Sequence, residues 1–508
     1  MSRVGVILEG STPRGFRMKI DRETSVPLHD YVVVEVEEPL GGTVRVLGEV
    51  VGLHEKDPLA AENLAIGESS AYGYGVARVE VLGYLENGVI YRPKMAPKPN
   101  TPVYKAGDEI LQEFFRGREE RIPVYVGSLV SRPTVKTPIH IQDLQFHLGI
   151  FAQTRGGKSY LAGKIIEEIL TKTPFPVAVI DIHGDYVMMD RDADSDERHG
   201  DYDVEVYYPK EELRIPGVTA QEKVLAQSPR DVGYEVLEEL LRGLGGRQKS
   251  ILNNTYKSLL RRGKPFGLAD IIQEIRVKED AKESSKDRDR ITGIRLRLER
   301  LARYVDFSPT GTRVTDLLKP HTLTVICLRG LSASVQDVYA GLIVDMIYRN
   351  QIMNAEDLDK APPTFLFIEE AHRVASKEGR SSYAVEKVST AIREGAKFKL
   401  YLILISQRPR SIDPDALSNI GNYAVLRVVN RQDQSIIESA SESFTSRLVE
   451  DLPSLNQGEA VLTGPFVPLP AQVRTLKRRS KHHGVTPNLY AIMQDMLKKR
   501  GRVVEKGW

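Results

Sequence analysis

Apolar positions along the chain follow two rhythms. From Val4 to about Leu129, short runs such as "RVGVILEG", "YVVVEVEE", "GTVRVLGEVVGL" and "GVARVEVLGYL" alternate apolar with polar residues and are separated by Gly and Pro. Period-two alternation at such close spacing predicts a small closed β-barrel. The cluster "YRPKMAPKPNTPVY" is expected to cross that barrel's surface or lead out of it, because proline offers no N–H to a central strand. After Gly127, continuous apolar runs alternate with long helical periods, the pattern of a parallel sheet covered by helices. The strand candidates are "HLGIFA" at His147, "PVAVIDIH" at Pro176, "TLTVICL" at Thr322, "TFLFIEEAH" at Thr364, "LYLILISQRP" at Leu400 and "YAVLRVV" at Tyr423. Between the second and third of these lies a charged helical block, about Gln221 to Phe307, expected to be a solvated subdomain unless it grips DNA or a partner. Within it, "KEDAKESSKDRDR" has the composition of a mobile loop.

One junction between a strand and a helix carries chemistry. The stretch "FAQTRGGKSYLAGKIIEEIL" runs from an apolar strand end through a glycine pair into an amphipathic helix. A phosphate-binding loop needs backbone N–H groups around the phosphates, a lysine to reach the outer ones and a hydroxyl for magnesium. Here the eight positions are Ala152, Gln153, Thr154, Arg155, Gly156, Gly157, Lys158 and Ser159, with alanine where the first glycine is usual. Alanine fits there if its φ stays negative. Tyr160 follows on the helix and joins the expected ATP contacts.

Hydrolysis needs acids at a strand end, one for magnesium's shell and one to orient water. "TFLFIEEAHR" ends in Glu369 and Glu370, read as the metal acid and the water-orienting base, on a strand expected to neighbour that of the phosphate loop. Capping of the following helix is the alternative use of the pair. "IDIHGDY" places Asp181 and His183 at a carboxyl edge, Asp181 as a magnesium or water partner and His183 as that or a cap. "LILISQRP" offers Ser406, Gln407 and Arg408, with Gln407 as the γ-phosphate sensor. "STAIREGAKFKL" carries Arg393, Lys397 and Lys399, candidates for a cation acting on a neighbouring subunit's nucleotide or else plain surface charges.

These pieces predict an α/β fold: a RecA-like P-loop ATPase core, a mostly parallel sheet with helices on both faces, plus an N-terminal small β-barrel and a helical insertion. The expected boundaries are 1–130 for the barrel, 131–220 and 311–475 for the core, 221–310 for the insertion and 476–508 for a basic tail. The clusters "RTLKRRSKHH" from Arg474 and "LKKRGR" from Leu497 are expected to be solvated or to touch DNA.

In order and spacing, "AQTRGGKS", "IDIHGDY", "FIEEAHR", "IREGAKF" and "ISQRP" resemble the HerA helicases of the HerA/FtsK superfamily. The likeness spans nearly the whole chain, from a barrel ending near "GSL" (Gly127 to Leu129) to closing strands like "LPSLNQGEAVLTGPFVPLPAQV". It implies a hexameric ring, ATP and Mg2+ as cofactors, translocation on or unwinding of double-stranded DNA, and work with a NurA nuclease on broken ends. It further implies that Lys158 reaches phosphate, Ser159 and Glu369 hold magnesium, Glu370 completes the acids, Gln407 senses and Arg393 lies near the subunit interface. Gly464 and Pro465 in the closing segment join the implied nucleotide contacts. Phe146 stands where the family carries a nucleotide-contacting arginine, and Ala396 replaces a second arginine. Arg155, Lys397, Lys399 or Arg431 then compensates, or turnover is altered. A ring ATPase moving another polymer, and a weakly hydrolysing scaffold for a nuclease, remain the competing readings.

The totals change this picture little. A length of 508 residues suggests about three domains. A net charge of +2 means that any grip on nucleic acid is local. One cysteine, Cys327 in an apolar run, permits no internal disulfide and suggests a reducing compartment. No run reaches the roughly 18 apolar residues of a membrane span. The chain is expected to be cytoplasmic.

Overall fold

The computed structural model describes residues 1–39, 42–56, 74–117, 121–282, 284–376, 381–441, 443–484 and 489–499. The first β-rich region closes as expected. Strands β1 (Arg3–Ile7), β2 (Gly15–Ile20), β3 (Tyr31–Glu38), β4 (Gly42–Lys56), β5 (Tyr74–Glu86) and β7 (Pro102–Lys105) form a six-stranded antiparallel barrel in the order β2-β1-β7-β3-β4-β5, closed by β5 on β2. A short β6 (Val89–Tyr91) extends β5, and the proline cluster carries the chain on to β7. Alternate valines, Val32, Val34, Val46, Val79 and Val103 among them, fill the interior.

The next strand departs from expectation. β8 (Pro123–Leu129), with the "GSL" expected near the barrel's end, pairs instead with β19 (Ala471–Thr475) and β9 (Lys136–His140) in a second, larger sheet. That sheet also contains β10 (Leu148–Phe151), β11 (Val177–Asp181), β12 (Asp203–Tyr208), β13 (Gln221–Val224), β14 (Thr322–Cys327), β15 (Thr364–Ile368), β16 (Leu400–Ser406), β17 (Asn422–Leu426) and β18 (Glu459–Thr463). Its order is β13-β12-β14-β11-β15-β16-β10-β17-β18-β19-β8-β9, parallel as far as β17 and antiparallel beyond. Two apolar clusters lie on its two faces, so the central strands read as continuous apolar runs. β12 and β13 are absent from the strand candidates above, because "DVEVYY" and "QEKV" carry charges within the run.

The helical block packs as α3 (Gly246–Arg261), α4 (Leu268–Asp280) and α5 (Ser285–Leu301) after α1 (Asp108–Arg116) and α2 (Lys158–Lys172). "KEDAKESSKDRDR" is mostly helical, ending α4 and beginning α5, not the loop that its composition suggested. Its charges sit at pairing distance: Arg290 reaches Asp287 at 2.7 Å and Arg295 reaches Glu279 at 2.7 Å. After β14 come α6 (Ala333–Met353) and α7 (Ser382–Glu394), packed together where Gly341 meets Ala384. The barrel is tied to the core by Arg447, 2.9 Å from both Glu49 and Glu80, and by Arg132, 2.8 Å from Asp30.

Candidate nucleotide site

Between β10 and α2 the backbone turns through Ala152–Gly157, with Arg155 at φ 63° and Gly157 at φ 101°. A Cβ at Gly156 would lie 2.9 Å from that of Ala152, so close approach calls for glycine there, while Gly157 is favoured by its left-handed φ. Ala152 keeps a negative φ and is buried, so alanine costs nothing at the first position. Two bonds anchor the loop: Gln153 N donates to Arg427 O at 3.0 Å and Gly156 N donates to Gln153 O at 3.0 Å. Lys158 and Ser159 open α2, leaving the N–H groups of its first turn to face a ligand.

The strand of the two acids is not the neighbour expected. β16 lies between β10 and β15, and it supplies the residue that spans the gap. Thr154 Oγ1 donates to Gln407 Oε1 at 2.7 Å, while Gln407 Nε2 lies 3.3 Å from both carboxylate oxygens of Glu370. Sequence order cannot reveal this, because each crossover in a parallel sheet is free to land one or two strands away.

Glu369 and Glu370 occupy different environments. Glu369 is fully buried and accepts a bond from Tyr186 Oη at 2.5 Å; burial pushes its pKa up to about 7. Burial pushes Glu370 the same way, but His183, His372 and Lys158 outweigh it and hold its carboxyl below the ordinary range. Glu370 also has a left-handed backbone, φ 50°, a strained conformation for such a residue. His372 Nδ1 lies 3.2 Å from Glu370 Oε2 and 3.1 Å from Ser406 Oγ; Ser406 Oγ also accepts from Arg408 N at 3.0 Å. His183 Nε2 lies 3.8 Å from Glu370 Oε1, and that contact raises its pKa. Asp181 is wholly buried and accepts backbone N–H groups from His183, Gly184, Asp185 and Tyr186. Its carboxylate thus shapes the loop that presents Tyr186 to Glu369.

Several expected contacts lie elsewhere. Gly464 packs against Gly421 and Asn422, at the start of β17, and Pro465 O accepts from Arg121. Both lie at the sheet edge opposite the phosphate loop, which follows the end of β10. Arg393, Lys397, Lys399 and Phe146 share that far edge, ahead of β16 and β10. Arg431 follows β17 and lies on the near edge. Tyr160 Oη accepts from Arg478 N at 2.9 Å, so its hydroxyl meets the C-terminal segment.

That segment is no solvated tail through residue 484. Arg478 is 2% exposed and lies over the Tyr160 ring, 5.6 Å from its centroid, and Lys477 pairs with Asp194 at 2.6 Å. Lys481 pairs with Asp196 at 2.6 Å, and Arg474 with Glu459 at 2.8 Å. "LKKRGR" falls outside the residues whose side chains are described. Sequence reading missed Tyr186, His372, Gly458 and Arg478. All four stand inside quoted segments, but nothing local marks Gly458 as meeting the phosphate loop or Arg478 as meeting Tyr160.

The profile of a family described as "Helicase HerA, central domain" matches residues 124–347. A probable helicase of Methanocaldococcus jannaschii is 27% identical, covering 84% of this chain and 81% of its own length. The DNA double-strand break repair helicase HerA of Pyrococcus furiosus is 25% identical, covering 93% of this chain and 91% of its own. Among solved structures, VirB4 of Thermoanaerobacter pseudethanolicus superposes with a TM-score of 0.50 at 13% identity, over 70% of this chain and 96% of that one. This last likeness concerns the fold, a P-loop ATPase core.

Proposed function

We propose that the chain is a HerA-type helicase, as its family-model match and its relatives support, and that it is an ATP-driven motor acting on double-stranded DNA in the repair of broken ends. The observation that carries the reading is the linkage Thr154–Gln407–Glu370, which joins the phosphate loop to an ionised acid. In this reading Lys158 and the loop N–H groups bind the triphosphate, Glu370 accepts the proton of the attacking water, and Gln407 registers the γ-phosphate. His183 and His372 keep Glu370 charged and oriented. Ser159 and Glu369 suit magnesium, which takes few protein ligands beside substrate phosphates. When bound, that ion neutralises charge on the phosphates.

A ring of six is part of this reading, and the separation of the expected contacts supports a site shared between subunits. Arg393, Gly464 and Pro465 lie at the edge away from the chain's own phosphate loop, so any part they take in hydrolysis is at a neighbour's nucleotide. A NurA-type nuclease is the partner this reading implies. The test is phosphate release by the parent, Lys158→Ala and Glu370→Gln, with and without linear duplex. The parent is expected to be stimulated by duplex, and Lys158→Ala to be inactive. Glu370→Gln is expected to bind a fluorescent ATP analogue normally while hydrolysing at least about 100-fold more slowly. Parent-rate hydrolysis by Glu370→Gln, or indifference of the parent to duplex, would overturn the reading.

A further inference from the structure

A second cleft, of about 680 Å3, opens between the helical block and the start of α6, lined by Arg242, Arg297, Arg300, Tyr304, Ser332 and Ser334. Two of its three arginines, Arg297 and Arg300, differ from others on the same block. Arg290 and Arg295 of α5 pair with carboxylates, as do Arg262 and Arg276 nearby. Arg297 and Arg300, one helical turn apart on α5, are exposed and have no carboxylate within 4.0 Å among the described residues. Arg242 keeps a partner, Glu239, at 3.3 Å. Unpaired guanidinium groups beside serine hydroxyls match the oxygens of a phosphodiester, and the exposed Tyr304 adds a surface for sugar or base.

The first turn of α6 also touches the turn that follows the hydrolytic acids, through Arg373. Arg373, three residues after Glu370, donates to Ala333 O at 2.7 Å and to Gln336 Oε1 at 3.0 Å. It pairs with the buried Asp337 at 2.5 Å. One guanidinium therefore joins the turn that carries Glu370 and His372 to the helix start that lines the cleft. We infer that this cleft holds the phosphate backbone of a polynucleotide, and that Arg373 passes its occupancy to Glu370.

The inference rests on the proposed reading as a DNA-stimulated ATPase, and its test separates the two. Binding of labelled linear duplex by the full chain is measured across a salt series for the parent, for Arg297→Gln/Arg300→Gln, and for the charge-matched control Arg262→Gln/Arg276→Gln. The cleft pair is expected to bind roughly tenfold more weakly, with a log K against log salt slope shallower by about one per phosphate contact removed. The control is expected to match the parent. Parent-like binding by the cleft pair, or an equal loss in the control, would overturn this inference and leave the motor reading standing. A parent that binds no duplex would overturn both. A variant that loses a mononucleotide but keeps duplex affinity would assign the cleft to free nucleotide, also against the inference. For the coupling, Arg373→Lys keeps a charge for Asp337 but cannot reach all three partners. It is expected to bind duplex like the parent and lose stimulation of hydrolysis; full stimulation would refute the Arg373 link.

Discussion

Glu369 and Glu370 are adjacent in sequence, yet burial lifts the pKa of one to about 7 while the other is held below the ordinary carboxylate range. The split comes from what each faces: Lys158 acts on both, but Glu369 is wholly buried beside Tyr186, Asp181 and Asp185, whereas Glu370 faces two histidines. It makes a linkage prediction for the nucleotide-free protein in EDTA. A carboxyl raised from 4.5 to about 7 binds its proton more tightly folded than unfolded, so its burial is tolerated below pH 4.5 and becomes destabilising as pH rises through 7. Glu369→Gln retains an acceptor for Tyr186 without the charge. Its melting temperature is expected to exceed the parent's at pH 8.5, by the equivalent of at most about 3 kcal/mol, with the gap closing toward pH 5. An unchanged gap across that range, followed by calorimetry, would show that Glu369 is not the group responsible.

At the level of elements, the site depends on how tightly the helices that flank the sheet approach one another. Helices α6 and α7 touch where a Cβ on Gly341 would fall 2.5 Å from Ala384 Cα, a backbone atom that cannot swing away. Gly341→Ala is expected to destabilise the chain by about 1–3 kcal/mol through overpacking, read as a lower denaturant midpoint. A gain in stability, as helix propensity alone would give, would mean the helices are free to part. The C-terminal segment is a comparable constraint on α2. A Cβ on Gly163 would strike the Arg478 guanidinium at 2.2 Å, so the strap packs directly on the helix that begins at Lys158.

For the whole molecule, the question is assembly. The phosphate loop and Arg393 occupy opposite edges of one sheet, which a single chain cannot bring together. Native mass measurement with an ATP analogue is expected to give about six times 56.9 kDa. A monomer at every concentration, with nucleotide and duplex present, would remove the ring and every role assigned to a neighbour.

What the sequence determined was local and consecutive. The glycine pair before Lys158, the apolar run ending in Glu369 and Glu370, and the valine alternation of the barrel each encode backbone geometry in neighbouring residues, and all were legible. Tertiary structure alone decided that β16 separates the two motif strands, that "GSL" belongs to the large sheet, and that Gly464 lies at the far edge. It also decided that the basic "KRRSK" run is folded onto the core. Each of these turns on which strand or helix a segment lands beside, and that choice is made by contacts hundreds of residues apart, which no window along the chain contains.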